Sequence, residues 1–286
     1  METPGTFYIG YPSRKSEIVL YFVGDLHIGN KAVSKSKLNA IRNEILSADN
    51  HFVIGMGDYA DYINFDDKRF RSQIADFTIE QAGSLGLELT RQVKEFFEPF
   101  KDRILGLCWG NHEEKYFASK QQYQLHQWLC TELGVPNFGY SALFDIAFMR
   151  PYKLRLVRPP GILNSEGKSC WTVRLFVHHG AGCAITSSGR SRTLERLMEL
   201  TDADITVAAH LHGAKVESKV RLTLSGKRKD KLSEKRIFGA LTGAYLRSYA
   251  EGLTTYSERK AYYPTVLGST KIVIQPDKED IQVIVP

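Results

Sequence analysis

The chain has 286 residues, 43% of them apolar and 24% charged. That balance suits a folded domain with a full core and disfavours disorder, collagen and a disulfide-knotted scaffold. The net charge of +6 is carried by one stretch, Lys215 to Arg236, where nine basic residues face three acids.

The elements follow in chain order. No basic-then-apolar leader opens Met1 to Pro12, so the chain reads as cytoplasmic (host cytoplasm for a viral protein). Ile18–Val23 is a short β-prone run ending at Gly24-Asp25. Ser36–Ala48 carries Leu38, Ile41 and Ile45 at helical spacing. His51–Met56 is a second strand, ending at Gly57-Asp58. Phe70–Phe97 reads as one or two helices interrupted near Gly83–Gly86, and Pro99 stops them. Arg103–Trp109 is a third strand, ending at Gly110-Asn111, and Glu113–Leu133 is helical again. This β-α-β-α-β-α order predicts an α/β sheet covered by helices.

The second half is richer in strands, at Leu143–Phe148, Lys153–Val157, Trp171–Val177, Ile205–Ala208, Lys271–Ile274 and Ile281–Val285. A short helix is expected over Thr193–Leu200, and a surface hairpin or loop over Asn164–Ser169. Lys215–Glu217 and Val220–Leu224 alternate as a strand does, Ser225–Lys231 is a basic tip, and Arg236–Phe238 starts the return strand. Lys227, Arg228, Lys229 and Lys231 are thus candidates for nucleic-acid backbone contact. The alternative is a solvated loop whose lysines discourage edge pairing. No composition break divides the chain, so we expect one domain over residues 1–286, with the basic hairpin near 215–238 as an insertion. The four cysteines, Cys108, Cys130, Cys170 and Cys183, form no C-x-x-C pair and read as reduced, mostly buried thiols. No apolar run is long enough to span a membrane.

Polar residues gather where the strands end. Gly24-Asp25-Leu26-His27, Gly57-Asp58, Gly110-Asn111-His112-Glu113, His178-His179-Gly180 and His210-Leu211-His212 each follow a predicted strand, and they hold six of the eight histidines. Ligands of open α/β sheets lie beyond the carboxyl ends of strands. Mixed Asp, His and Asn donors suit Mn, Fe or Zn better than Ca or Mg. Seven candidate ligands, Asp25, His27, Asp58, Asn111, His178, His210 and His212, are too many for one tetrahedral ion. They suit two ions sharing a carboxylate, the arrangement that hydrolyses phosphate esters.

The ordered set GDLHIG (24–29), GDYAD (57–61), GNHE (110–113), VHHG (177–180) and AAHLHG (208–213) resembles the calcineurin-like metallophosphoesterase superfamily. The resemblance implies a pair of packed mixed β-sheets flanked by helices, and two divalent transition-metal ions, Mn foremost, with Fe or Zn as alternatives. It implies that Asp25, His27 and His212 hold the first ion, Asn111, His178 and His210 the second, and that Asp58 bridges them. A water or hydroxide between the ions would attack phosphorus in line. His112 would protonate the leaving oxygen or stabilise its charge, and Asn111 would also touch the phosphate. Two positions depart from the pattern or leave it open. Ala209 stands where the family has glycine. The fourth motif offers both His178 and His179, and by register with the strand end His178 is chosen, with His179 behind it or facing substrate.

The protein-phosphatase branch carries two arginines that are absent here, beside Asp58 and at Trp109. The GDLHIG form is similar to that of the double-strand-break repair nucleases, and the compact length to stand-alone bacterial and phage phosphoesterases. The expected activity is therefore hydrolysis of phosphodiesters, by a DNA or RNA nuclease or a nucleotide phosphodiesterase. The alternatives are a phosphomonoesterase of small metabolites and, least favoured, a non-catalytic interaction module. Arg190 and Arg192, after a Gly/Ser-rich segment, are candidates to clamp substrate. Asp61 and Glu113 are expected to orient histidines rather than to ligate. Tyr245, Arg247, Tyr249, Tyr256, Tyr262 and Tyr263 form an aromatic-basic region suited to base stacking or to packing. His51 and His126 are expected to be structural.

Overall fold

The computed structural model describes residues 1–63, 67–78, 81, 83–120, 122, 124–164, 169–225 and 230–286. Strands β1 (Thr6–Gly10) and β2 (Ile18–Val23) lead to helix α1 (Lys35–Leu46) and β3 (His51–Met56). Helix α2 (Leu85–Phe97), a 3-10 segment (Glu98–Arg103) and β4 (Ile104–Cys108) follow, then α3 (Asn111–Lys120) and α4 (Gln124–Leu133). The second half runs β5 (Ser141–Arg150), β6 (Arg155–Val157), β7 (Ser169–His178), α5 (Ser187–Met198), β8 (Ile205–Ala208), β9 (Lys215–Ser225) and β10 (Lys231–Leu241). Helix α6 (Tyr256–Arg259), β11 (Thr270–Gln275), a 3-10 turn (Pro276–Lys278) and β12 (Asp280–Ile284) complete it.

Two mixed sheets result, ordered β12-β11-β2-β3-β4 and β6-β1-β5-β7-β8-β10-β9. Strict alternation explains why they stack. Ile18, Leu20 and Phe22 of β2 join Val173, Leu175 and Val177 of β7 in one buried cluster between the sheets. The intervening Val19, Tyr21 and Val23 face a second cluster with α1, α2 and α4. Phe176 and Ile237 face a third, under α5. Each such side chain contributes roughly 1.5–3 kcal/mol by leaving water, and both faces of each sheet must be apolar. The layering is helix, sheet, sheet, helix, as expected for two packed mixed sheets flanked by helices. Among the described residues no helix is long and apolar enough to cross a membrane.

Several expectations need correction. Described residues 67–78 form turns, not helix. They are pinned to the loop after β2: Lys31 N donates to Ile74 O, and Asp76 N donates to Gly29 O. These tertiary bonds override the local helical pattern. The helix expected over Glu113–Leu133 is two helices, and the one expected from Thr193 starts at Ser187. Strand β1 was not anticipated; it pairs in parallel with β5 and antiparallel with β6. Cys170 and Cys183 are exposed rather than buried. Of the loop expected over Asn164–Ser169, residues 165–168 lie outside the described residues.

The hairpin expected near 215–238 forms the rim of the larger sheet, where β10 pairs with β8 over Phe238–Leu241. Much of its charge is already neutralised. Lys219 lies 2.8 Å from Glu195 and 2.9 Å from Glu199 on α5, Lys235 pairs with Asp204, and Lys215 lies 3.5 Å from Glu217. Lys231 is exposed, and Lys227, Arg228 and Lys229 lie outside the described residues.

Candidate metal centre

The carboxyl ends of β2, β3, β4, β7 and β8 meet at one edge of the stacked sheets, and Asp25, Asp58, Asn111, His179 and His210 follow them within one to three residues. The approach is so close that two positions must be glycine. A Cβ on Gly110 would lie 2.1 Å from Asp58 Oδ1, and one on Gly57, whose φ is +87°, would lie 2.6 Å from Gly110 N. The backbone is strained where the polar side chains are aimed. Asp25, His27, Asp58, His210 and His212 all have φ between 48° and 68°, a conformation costing about 1–3 kcal/mol for a non-glycine residue. Glu113 holds the loops together by accepting from Asp58 N at 3.0 Å, Tyr59 N at 2.7 Å and Gly110 N at 3.0 Å. It was expected to orient a histidine; it orients backbone. Ala209 fills the inter-sheet core with its methyl, so the departure from glycine there is a packing detail.

Two clusters of inward-facing acceptors emerge. In the first, His212 Nε2 lies 3.3 Å from Asp25 Oδ1 and 3.1 Å from His27 Nε2. Asp25 Oδ1 is buried with no hydrogen-bond partner, while Oδ2 accepts from His210 N at 2.9 Å. In the second, the side-chain oxygen of Asn111 faces His210 Nδ1 at 2.6 Å, His179 Nε2 at 3.2 Å and Asp58 Oδ2 at 3.3 Å. An amide rotated the other way would donate to these atoms. The carbonyl orientation, in which lone pairs converge, is the one a cation requires.

The outer ring nitrogens settle the tautomers. His27 Nδ1 donates to Asp61 Oδ1 at 3.2 Å, His179 Nδ1 to Met56 O at 2.7 Å, and His210 Nε2 to Gly182 O at 2.9 Å. Each therefore turns a lone pair inward, as metal-ligating histidines do. The field of the cluster attracts positive charge. Burial lowers the His179 pKa, but the Asp58 carboxylate outweighs it and raises the group to about 9. Burial likewise raises Asp25 and Asp58, yet the neighbouring His212 and His179 rings hold both below the ordinary carboxylate value. The donor set thus fits two divalent cations, one within Asp25, His27 and His212 and one within Asp58, His179, His210 and Asn111. A third grouping, His27, Asp61 and His112, does not fit, because both rings turn a proton-bearing Nδ1 toward Asp61.

Of the seven ligands expected, the structure brings six together and leaves one out. His178 lies on the α5 face of β7, packed on Tyr140 and Phe176, with Nδ1 accepting from Gly180 N. Its neighbour His179 takes its place. The reason is strand parity: Val173, Leu175 and Val177 face the inter-sheet side, and the next residue on that side is 179. Asp61 orients His27, as expected, and also accepts from Asn30 Nδ2 at 3.0 Å. His126 is buried among Tyr59 and Trp109 with its pKa lowered to about 4 by burial, and His51 bonds Glu44 O; neither touches the site.

The centre floors a pocket of about 450 Å³. Its lining includes Ile63, Arg69, Ile74, His112 and Lys115, together with Gly182–Ile185, Arg190, Arg247, Tyr256, Tyr262 and Tyr263. Arg192 is exposed on α5 and outside the pocket, and none of the hairpin's described residues lines it. Tyr245 is buried in the core, bonded to Ser269, and Tyr249 bonds Tyr262 O outside the lining. Sequence reasoning missed Arg69, whose Nη1 lies 3.1 Å from His112 Nε2. The available signal was the basic cluster Lys68-Arg69 and Arg71 shortly after the second motif.

A sequence model for calcineurin-like phosphoesterases matches residues 18–214. No curated protein sequence matches the chain. Among solved structures, the chain is similar to a conserved protein from Streptococcus pneumoniae described as a predicted phosphoesterase, with 11% identity, a TM-score of 0.34 and coverage of 94% of this chain and 98% of that one. It is also similar to a single-mutant form of Vps29 from Entamoeba histolytica, with 9% identity, a TM-score of 0.31 and coverage of 93% and 98%.

Proposed function

The chain belongs to the calcineurin-like phosphoesterase family, and from that premise we propose that it is a two-metal hydrolase of phosphodiesters, a nuclease or nucleotide phosphodiesterase. The observation that carries this reading is the pair of clusters, Asp25, His27 and His212 in one and Asp58, His179 and His210 in the other, with Asp25 Oδ1 buried and without a hydrogen-bond partner. When bound, two divalent ions, Mn first among them, supply positive charge for the phosphoryl oxygens and acidify an attacking water. Asp25, His27 and His212 would hold one ion, and Asn111, His179 and His210 the other. Asp58 would be shared by both ions; its Oδ1 accepts from His112 N at 2.8 Å and its Oδ2 faces the second cluster.

The leaving oxygen is expected beside His112. Its Nδ1 is fixed on Asp61 O at 2.6 Å, so Nε2 is the atom that faces the pocket, 3.1 Å from Arg69 Nη1. Burial lowers the His112 pKa, and Arg69 donates to Nε2. His112 in this state carries no proton at Nε2 to give, and the Arg69 guanidinium it holds in place is the group suited to stabilise a negative leaving oxygen. Preference for a diester rests on the extent of the lining: Ile63, Ile185, Tyr256 and Tyr263 accompany the basic residues and can receive a second substituent on phosphorus.

Metal-stripped protein resupplied with Mn is expected to hydrolyse bis(p-nitrophenyl) phosphate faster than p-nitrophenyl phosphate. Asp58→Asn should lower that rate by at least about 1,000-fold, the scale of removing a central electrostatic group. An unchanged rate in Asp58→Asn would refute the metal reading. Preference for the monoester would replace diesterase by metabolite phosphatase.

A further inference from the structure

The pocket is more basic than a single phosphodiester requires. Such a diester carries one negative charge, and the metals with Arg69 already answer it. Arg69 is itself satisfied, 2.7 Å from Asp67 and bonded to His112. Arg190 is not. Its guanidinium lies over Gly213, where a Cβ would fall 2.2 Å from Arg190 Cζ and 2.4 Å from Nε. Nε is buried with no partner, and among the described residues no carboxylate lies within ion-pair reach of it. An unpaired, partly desolvated guanidinium in a pocket wall is costly unless it receives an anion.

Its position says which anion. The rings of His112, His27 and His212 follow one another at centroid separations of 4.8 and 5.0 Å. Arg69 extends from the His112 end of this row. Arg190, on the glycine after His212, marks the other end. The two guanidiniums thus stand beside different rings of this row, Arg69 beside His112 and Arg190 over the glycine that follows His212.

We propose that Arg190 anchors a second phosphate of the substrate, on the part retained after the leaving group departs at His112. The substrate class is then a phosphodiester bearing another phosphate, as in a nucleic-acid strand, rather than a cyclic or singly phosphorylated nucleotide. This rests on the diesterase reading above. Gly213 belongs to the same device, since it makes the room in which the guanidinium lies.

The test compares thymidine 5′-(p-nitrophenyl phosphate) with the same compound carrying a 3′-phosphate. Arg190→Ala should lose about tenfold more kcat/KM on the second than on the first, the size of one charge-assisted hydrogen bond, chiefly through KM. Arg190→Lys should recover part of it. Equal losses on both substrates would overturn the proposal. A binding measurement runs beside it. Metal-free wild type should bind thymidine 3′,5′-bisphosphate more tightly than thymidine 5′-phosphate, and Arg190→Ala should erase the difference. No difference in the wild type, or one that survives in Arg190→Ala, would also overturn it. Should the wild type hydrolyse neither ester, the diesterase reading fails, while the binding comparison still decides the role of Arg190.

Discussion

Three of the four imidazoles of the clusters, His27, His179 and His210, are fixed through an outer N–H, so truncating one acts in two ways: it deletes a donor atom and leaves an acceptor such as Met56 O, which receives His179 Nδ1 at 2.7 Å, without its partner. His179→Ala is therefore expected to lower metal affinity by more than the roughly 10–100-fold that loss of a merely supporting group costs. His178→Ala should keep its metal, because that ring faces Tyr140 and Phe176. Elemental analysis of the two Mn-loaded variants after desalting checks this; retained metal in His179→Ala would remove it from the cluster. The distinction was legible in the sequence. Thr172 and Arg174 are polar beside the apolar Val173 and Leu175, and continuing the parity of Val173, Leu175 and Val177 reaches 179, not 178. The other six ligands were readable because Asp25, Asp58, Asn111 and His210 each follow a strand and a glycine or alanine, and His27 and His212 stand two residues after Asp25 and His210. Arg69 was not readable: the turns at 67–78 that bring it to His112 are set by bonds to the loop after β2, and local sequence does not encode those.

At the scale of elements, burial separates residues that look alike in sequence. Leu105 on β4 and Leu222 on β9 are both strand leucines, yet Leu105 is 0% exposed in the inter-sheet cluster and Leu222 is 69% exposed. The larger sheet is wider than the smaller one, and β9 at its rim has no facing strand. Leu105→Ala is expected to cost about 2–5 kcal/mol of stability, and Leu222→Ala to change it by less than about 0.5 kcal/mol. Urea unfolding of the metal-free protein measures both; a large cost at Leu222 would mean that the β9 face is covered in solution. Alternation alone predicted β9 as a strand but carried no information on whether its apolar face finds a partner. The same gap explains why β1 went unseen: Thr6–Gly10 is short, and its strand character comes from pairing with β5 and β6, far away in the chain.

At the scale of the molecule, the two sheets are joined at one end by a polar clasp as well as by their shared core. Asp277, in the 3-10 turn between β11 and β12, accepts from Arg150 Nε at 2.8 Å, at the end of β5, and from Tyr11 OH at 3.0 Å, just after β1. Desolvation opposes ionisation of Asp277, but the bonds from Arg150 and Tyr11 prevail and hold its pKa below the ordinary 3.8. Burial, with the Asp277 carboxylate, raises Tyr11 from 10.0 to about 12. The signs are opposite. A depressed carboxyl adds stability that is complete above its unfolded pKa and is lost as pH falls toward the native value. A raised phenol adds stability that is complete below its unfolded pKa and is lost as pH climbs from 10.0 toward about 12. The clasp should therefore be at full strength from about pH 5 to 9 and weaken on both sides. Asp277→Asn is expected to destabilise at pH 7, with its difference from wild type shrinking below pH 3.8. Tyr11→Phe should lose the alkaline limb and reduce the acid limb without abolishing it, because Arg150 still holds the Asp277 carboxylate. Subtracting each variant's unfolding free energy from that of wild type at each pH removes the titration of the other carboxylates, including those of the metal centre. A pH-independent difference for Asp277→Asn would show that the carboxylate acts by shape and hydrogen bonding rather than through its charge.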